Sequence, residues 1–112
     1  MGLDTDGMHV TEWQWRRHTS RTSGKEMLLV TYYGALSDKP VNEYLTVLHE
    51  GYAGQKSRTL FAEIAMKCGA NFDRDNSDLD YLVDEMNACE PPGIIKFRQD
   101  GKFYRVTNRR WG

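Results

Sequence analysis

The order of apolar and polar positions divides the chain into segments of different period. Residues 10–19, VTEWQWRRHT, are rich in aromatic and β-favouring types. Residues 27–34, MLLVTYYG, form a run of strand formers closed by Gly34, and the turn-rich SRTSGKE lies between. This pattern predicts an N-terminal hairpin. The period then lengthens. Val41, Tyr44, Leu45 and Leu48 fall at i, i+3, i+4 and i+7, which predicts a helix over 38–48. Ser37 or Asp38 would cap it, Pro40 suits its first turn, and Gly51 and Gly54 would end it. A second helix is expected over 58–67, with Phe61, Ile64, Ala65 and Cys68 on its buried face and Gly69 as its stop. A third is expected over 78–88, where Leu79, Leu82, Val83 and Met86 repeat the stripe and Ser77 can cap.

After Pro91-Pro92-Gly93 comes IIKFRQDGKFYRV, residues 94–106. Asp100-Gly101 reads as a two-residue hairpin turn. It would set Arg98 opposite Phe103 and Lys96 opposite Arg105. One face then holds Ile95, Phe97, Tyr104 and Val106, and the other holds Lys96, Arg98, Phe103 and Arg105.

Length adds a bound. The 112 residues suffice for one compact domain and not for two ordinary ones. Residues 1–10 read as a flexible lead-in, which leaves 11–112 as a single domain. No apolar run reaches the ~20 residues of a membrane span, and the N-terminus lacks the regions of a signal peptide. The net charge of −1 conceals an asymmetry: residues 71–90 carry seven acids against Arg74, and residues 91–112 carry six bases against Asp100. A basic end beside an acidic segment points to charged partners. Cys68 and Cys89 fit no metal-ligand spacing and read as reduced thiols of an intracellular protein, cytoplasmic or, in a eukaryote, nuclear.

Several stretches imitate known sites. In HEGYAGQKSRTL, residues 49–60, the spelling G-x-x-G-x-K-S resembles a phosphate loop. It lacks the Gly before Lys56, the spacing from Gly51 is short, and a helix rather than a strand is expected before it. Gly51 and Gly54 are better read as a turn between helices, with Ser57 or Thr59 as a cap and Lys56 and Arg58 as simple charges. FDRDNSDLDYLVDE has calcium-loop flavour, but its sixth position is Asp78 rather than Gly and its twelfth is Asp84 rather than Glu. His49-Glu50 lacks the second His of a zinc-protease helix. No nucleophile sits beside a base. The sequence therefore points to a non-enzyme with no cofactor and no metal. Trp13 and Trp15 share a strand face, and burial is favoured over a role as stacking platforms.

From residue 38 to 107 the expected order is helix, helix, helix, hairpin. DLDYLVDEMNACEPPGIIKFRQDGKFYRVT resembles the third helix, wing and return strand of a winged helix-turn-helix domain. That resemblance implies an α+β fold: three helices, a C-terminal β-hairpin wing and an added N-terminal strand or hairpin. It also implies DNA binding. The third helix departs from the DNA-reading form, since Asp78, Asp80, Asp84 and Glu85 would be repelled by phosphates. The wing is then the better candidate. Lys96, Arg98, Lys102, Arg105, Arg109 and Arg110 would supply charge, with Phe103 and Trp111 available to stack. The expected function is a non-catalytic nucleic-acid-binding module, with DNA favoured over RNA, as an accessory domain of a larger processing protein. The alternative is a protein-interaction module that uses the acidic third helix or exposed aromatics. No membrane partner is expected.

Overall fold

A computed structural model describes residues 6–34, 40–71, 78–101 and 103–111. Along them run β1 (Asp6–Thr19), β2 (Glu26–Gly34), β3 (Val41–Leu45), α1 (Gly51–Cys68), α2 (Leu79–Asn87), β4 (Ile94–Asp100) and β5 (Phe103–Arg110). The strands form one antiparallel sheet in the order β3-β2-β1-β4-β5. Among the described residues the architecture is thus two helices with a five-stranded sheet. The expected three helices with a C-terminal wing do not form.

β1 organises the sheet because it is shared. Its first part pairs with β4, Asp6 opposite Phe97 through His9 opposite Ile94. Its second part pairs with β2, from Val10 opposite Gly34 to Thr19 opposite Glu26, with an irregularity between Val10 and Glu12. A bulge bends and twists a strand, so β1 turns the corner between two three-stranded halves. Strand structure therefore begins inside the segment read as a lead-in. Beyond Val10 the β4 side of β1 has no strand neighbour among the described residues. There Asn87 of α2 accepts from the Trp15 amide at 2.7 Å and donates to the Trp15 carbonyl at 2.9 Å. The side chain thus pairs backbone groups that would otherwise be buried without partners.

The core lies on the concave face. Trp13 and Trp15 from β1, Leu28, Val30 and Tyr32 from β2, Val41 and Leu45 from β3 and Ile95 from β4 meet Phe61, Ile64 and Ala65 of α1 and Leu79, Leu82 and Met86 of α2. Trp15 is 1% exposed and stands edge-on to Trp13 and to Phe61, with ring centres 5.3 and 5.6 Å apart. Both tryptophans are core, as alternation along β1 predicts. Burying rings of this size contributes several kcal/mol of the stability.

The N-terminal hairpin and the last helix follow the expected pattern. The cap of α2 is Asp78, whose carboxylate accepts from the amides of Asp80 and Tyr81; Ser77 lies outside the described residues. Gly69 ends α1 in the left-handed region, at φ 79°.

The first predicted helix is instead β3. Val41 and Leu45 are four apart, a spacing that shares a face in a helix and in a strand alike. The other two members of the stripe decide between them: Tyr44 is 41% and Leu48 42% exposed. Glu43, between Val41 and Leu45, points inward. β2 supplies the missing context, pairing Leu28 with Leu45 and Tyr32 with Val41.

The phosphate-loop look-alike is the start of α1. The helix begins at Gly51, and Gly54 lies within its first turn, pressed against the preceding loop. A Cβ at Gly54 would sit 1.7 Å from the His49 carbonyl oxygen. Arg58 donates to the carbonyls of Val47 and His49 at 2.9 and 3.1 Å. Ser57 pairs with the hydroxyl of Thr46 and accepts from its amide. Residues that spell a fragment of a nucleotide motif thus lock β3 to α1, and Ser57 does not cap the helix.

Gly54→Ala should lower stability by about 1–3 kcal/mol, through overpacking against backbone that cannot yield. Urea unfolding would show a lower midpoint with an unchanged slope. A second expectation concerns Cys68, whose thiol is pushed up to about 11 by burial and then by its hydrogen bond and proximity to Cys89. The thiolate is the reactive form, so iodoacetamide at pH 8 should label Cys68 roughly a hundredfold more slowly than an unperturbed thiol. Peptide mass spectrometry reads the rates.

Candidate nucleic-acid interface

The β4–β5 hairpin pairs Asp100 with Phe103, Gln99 with Tyr104, Arg98 with Arg105 and Phe97 with Val106. Asp100 is therefore paired rather than part of a two-residue Asp100-Gly101 turn, and Arg98 faces Arg105 rather than Phe103. From Phe97 to the turn the shift moves each pairing by two positions, so the division into faces survives there. Ile95, Phe97, Tyr104 and Val106 are buried or half-buried, while Lys96, Arg98 and Arg105 are exposed. Lys102 and the side chain of Phe103 lie outside the described residues.

A bulge then changes the strand's parity. The register slips between Phe97 opposite Val106 and Lys96 opposite Asn108, leaving Thr107 without a partner position. Had the ladder continued regularly, Arg109 would have faced Ile94 on the outer surface. With the bulge it faces Ile95, the most buried residue of β4, and Arg110 takes the outer place opposite Ile94. The outer face of the hairpin thus carries Lys96, Arg98, Arg105 and Arg110, with Asn108 between them. His9 continues the last row on β1, opposite Ile94.

Arg109, expected among the phosphate contacts, is an interior residue. Its side chain is 9% exposed and forms a salt bridge with Glu43 of β3, itself 11% exposed. Its Nε donates to the Tyr32 hydroxyl at 3.1 Å, and that hydroxyl donates to Glu43 at 2.8 Å. Burial, and next the Glu43 carboxylate, hold the Tyr32 phenol well above its ordinary range. Burial works against the charge on Arg109, but Glu43 and Tyr32 more than offset it, and the guanidinium stays protonated. The triad joins β2, β3 and β5 and draws the two sheet edges toward each other.

Two of the openings beside β5 bear on the cationic residues. One, of about 500 Å³, lies between β3, α1 and β5 and is lined in part by Glu43, Lys56, Leu60, Tyr104 and Arg105. The other, of about 680 Å³, lies at the far end of the hairpin, where Lys67 of α1, His9, Arg110 and Trp111 converge. Lys67 and His9 were not marked by sequence. Their nearness to Arg110 comes from the folding of α1 and β1 onto the sheet and has no local signal.

The acids of α2 lie elsewhere. Asp80 binds Arg17 at 3.1 Å, and Glu85 accepts from the Asn71 amide. Among the described residues no group of three His, Cys, Asp or Glu side chains converges to hold a metal ion. No described helix is long and apolar enough to cross a membrane. The chain matches no protein-family model, and no curated protein is significantly similar to it.

Arg109→Leu should cost about 3–5 kcal/mol, because it strands Glu43 as a buried charge. Arg109→Leu with Glu43→Leu should cost much less than the sum of the single changes. A double-mutant cycle of urea unfolding measures the coupling.

Proposed function

We propose that this protein is a non-catalytic nucleic-acid-binding module that holds the phosphate backbone on the outer face of β4 and β5. One observation carries the reading: Lys96, Arg98, Arg105 and Arg110 stand exposed on a single strand face, in neighbouring rows. Arg98 and Arg105 are directly opposite each other, a spacing at which both guanidinium groups can donate to one phosphate. The chemistry is backbone contact, which fixes position without reading sequence. DNA is the proposed ligand. The protein-docking alternative has less support, since Trp13, Trp15 and Tyr32 are core residues and Asp80 is engaged with Arg17.

Four cations on phosphates give a logarithmic salt slope of roughly −3 to −4. Lys96→Ala with Arg98→Ala should weaken binding on all sequences alike and make that slope shallower by roughly 1.5. Fluorescence anisotropy of labelled oligonucleotides over a range of salt concentrations tests both. An unchanged affinity in the double variant would remove the hairpin from the interface.

A further inference from the structure

We infer that the strand held by this face is single-stranded, and that one of its bases leaves the track at Arg110 to stack on Trp111 in the cleft beside Lys67. The inference rests on the backbone-binding reading above and goes beyond it in naming the form of the ligand and the position of a base.

Four features of the cleft support it. First, its charge is mainly positive: Lys67 and Arg110 line it with His9, and among the described residues no carboxylate side chain lines it, Glu63 lying in the neighbouring cleft. Its volume of about 680 Å³ lies within the ~300–1,000 Å³ of small-molecule sites. Second, Trp111 is held before any ligand arrives. Its indole N–H donates to the Glu90 carbonyl at 3.2 Å, and its ring meets Trp13 edge to face, with centres 6.3 Å apart. A ring fixed in this way loses little entropy when a base stacks on it. It is half-buried and also borders the neighbouring cleft between α1 and β5.

Third, track and cleft are continuous. Arg110 faces Ile94 at the end of the outer cationic rows and is also part of the cleft wall. A backbone that follows Arg98, Lys96 and Arg110 arrives at the opening. Fourth, Gly93 lines the cleft with main chain alone. Its amide donates to the Arg110 carbonyl at 2.8 Å, and its carbonyl accepts from Val10 at 2.9 Å. With no side chain there, that part of the wall does not obstruct a flat group.

The geometry selects against duplex. Adjacent strands lie about 4.8 Å apart, so cations on two of them form a narrow track suited to one backbone. A base inside a duplex is stacked on both faces and cannot reach a recessed indole unless it is flipped out. A single strand presents its bases at much lower cost.

The test uses the whole chain and labelled oligothymidylate, read by fluorescence anisotropy at low salt. Three ligands of equal length are compared: the intact single strand, the same strand with abasic sites, and a duplex. The intact strand should bind about 5- to 150-fold more tightly than the abasic one, the range for one stacked base. It should also bind more tightly than the duplex. Trp111→Ala should abolish the preference for intact over abasic strand, and Trp111→Phe should keep part of it. Circular dichroism checks the folding of both variants, and the abasic comparison on the unaltered protein does not depend on them. Equal binding of intact and abasic strands, or tighter binding of duplex, would overturn this inference and leave backbone binding standing. Binding of none of the three would overturn both.

Discussion

Arg109 is the residue on which the closure of the sheet depends. Its charge sits where water has little access, and an unpaired ion there would cost several kcal/mol. Glu43 and Tyr32 compensate, one with opposite charge and the other by accepting from Arg109 while donating to Glu43. The three residues come from β5, β3 and β2, so the arrangement exists only when the sheet has curled enough to bring its two edges near each other. Such a network contributes less to net stability than to uniqueness. An alternative pairing of β5 would leave the same charges buried and unmet, so the bulge that turns Arg109 inward specifies one register. It also fixes what faces outward, because the shift that buries Arg109 is the one that places Arg110 beside Ile94.

The second organising element is β1, which belongs to both halves of the sheet. The irregularity after Val10 lets it pair with β4 on one side and β2 on the other. The freed edge is taken up by Asn87 on the Trp15 backbone and by the Cys89 carbonyl, which accepts from the Trp13 indole at 3.0 Å. The end of α2 thereby substitutes for a strand, and the same two tryptophans that fill the core anchor the helix that covers it. Trp111 packs on Trp13 in turn, so the floor of the core and the edge of the candidate cleft are mechanically connected.

Much of this was legible in the sequence. The strand at Met27–Tyr33, the stop at Gly69, the stripe of α2 and the alternation along β4 each follow from a local rule that the tertiary context also obeys. The errors lie where two structures share a local rule. Val41 and Leu45 satisfy both periods, and only the availability of the β2 edge decides in favour of a strand. The glycines at 51 and 54 look like helix breakers, yet Gly54 is required inside the first turn because the His49 carbonyl lies where a side chain would be. Replacing the first helix with a strand is what overturns the expected three-helix fold, since the remaining helix–hairpin order at the C-terminus is compatible with many sheets. The bulge at Thr107 has no signature in the text at all. It sorts two adjacent arginines, identical in composition and propensity, into an interior ion pair and a surface charge.

The charge asymmetry of the sequence acquires a direction in the fold. α2 packs through Leu79, Leu82 and Met86 onto the concave face, which turns its acids to solvent on that side of the sheet. Lys96, Arg98, Arg105 and Arg110 occupy the convex side. The apolar core lies between the two groups, a region of low dielectric that ions do not enter and where charges are poorly screened. α1, on the same side as α2, carries Lys56, Arg58 and Lys67 against Glu63, so the negative charge there is confined to the α2 end. For a polyanion the β4–β5 face is attractive and the surface of α2 is not. The acids that argued against a DNA-reading helix are thus held away from the proposed interface, on the other side of the sheet.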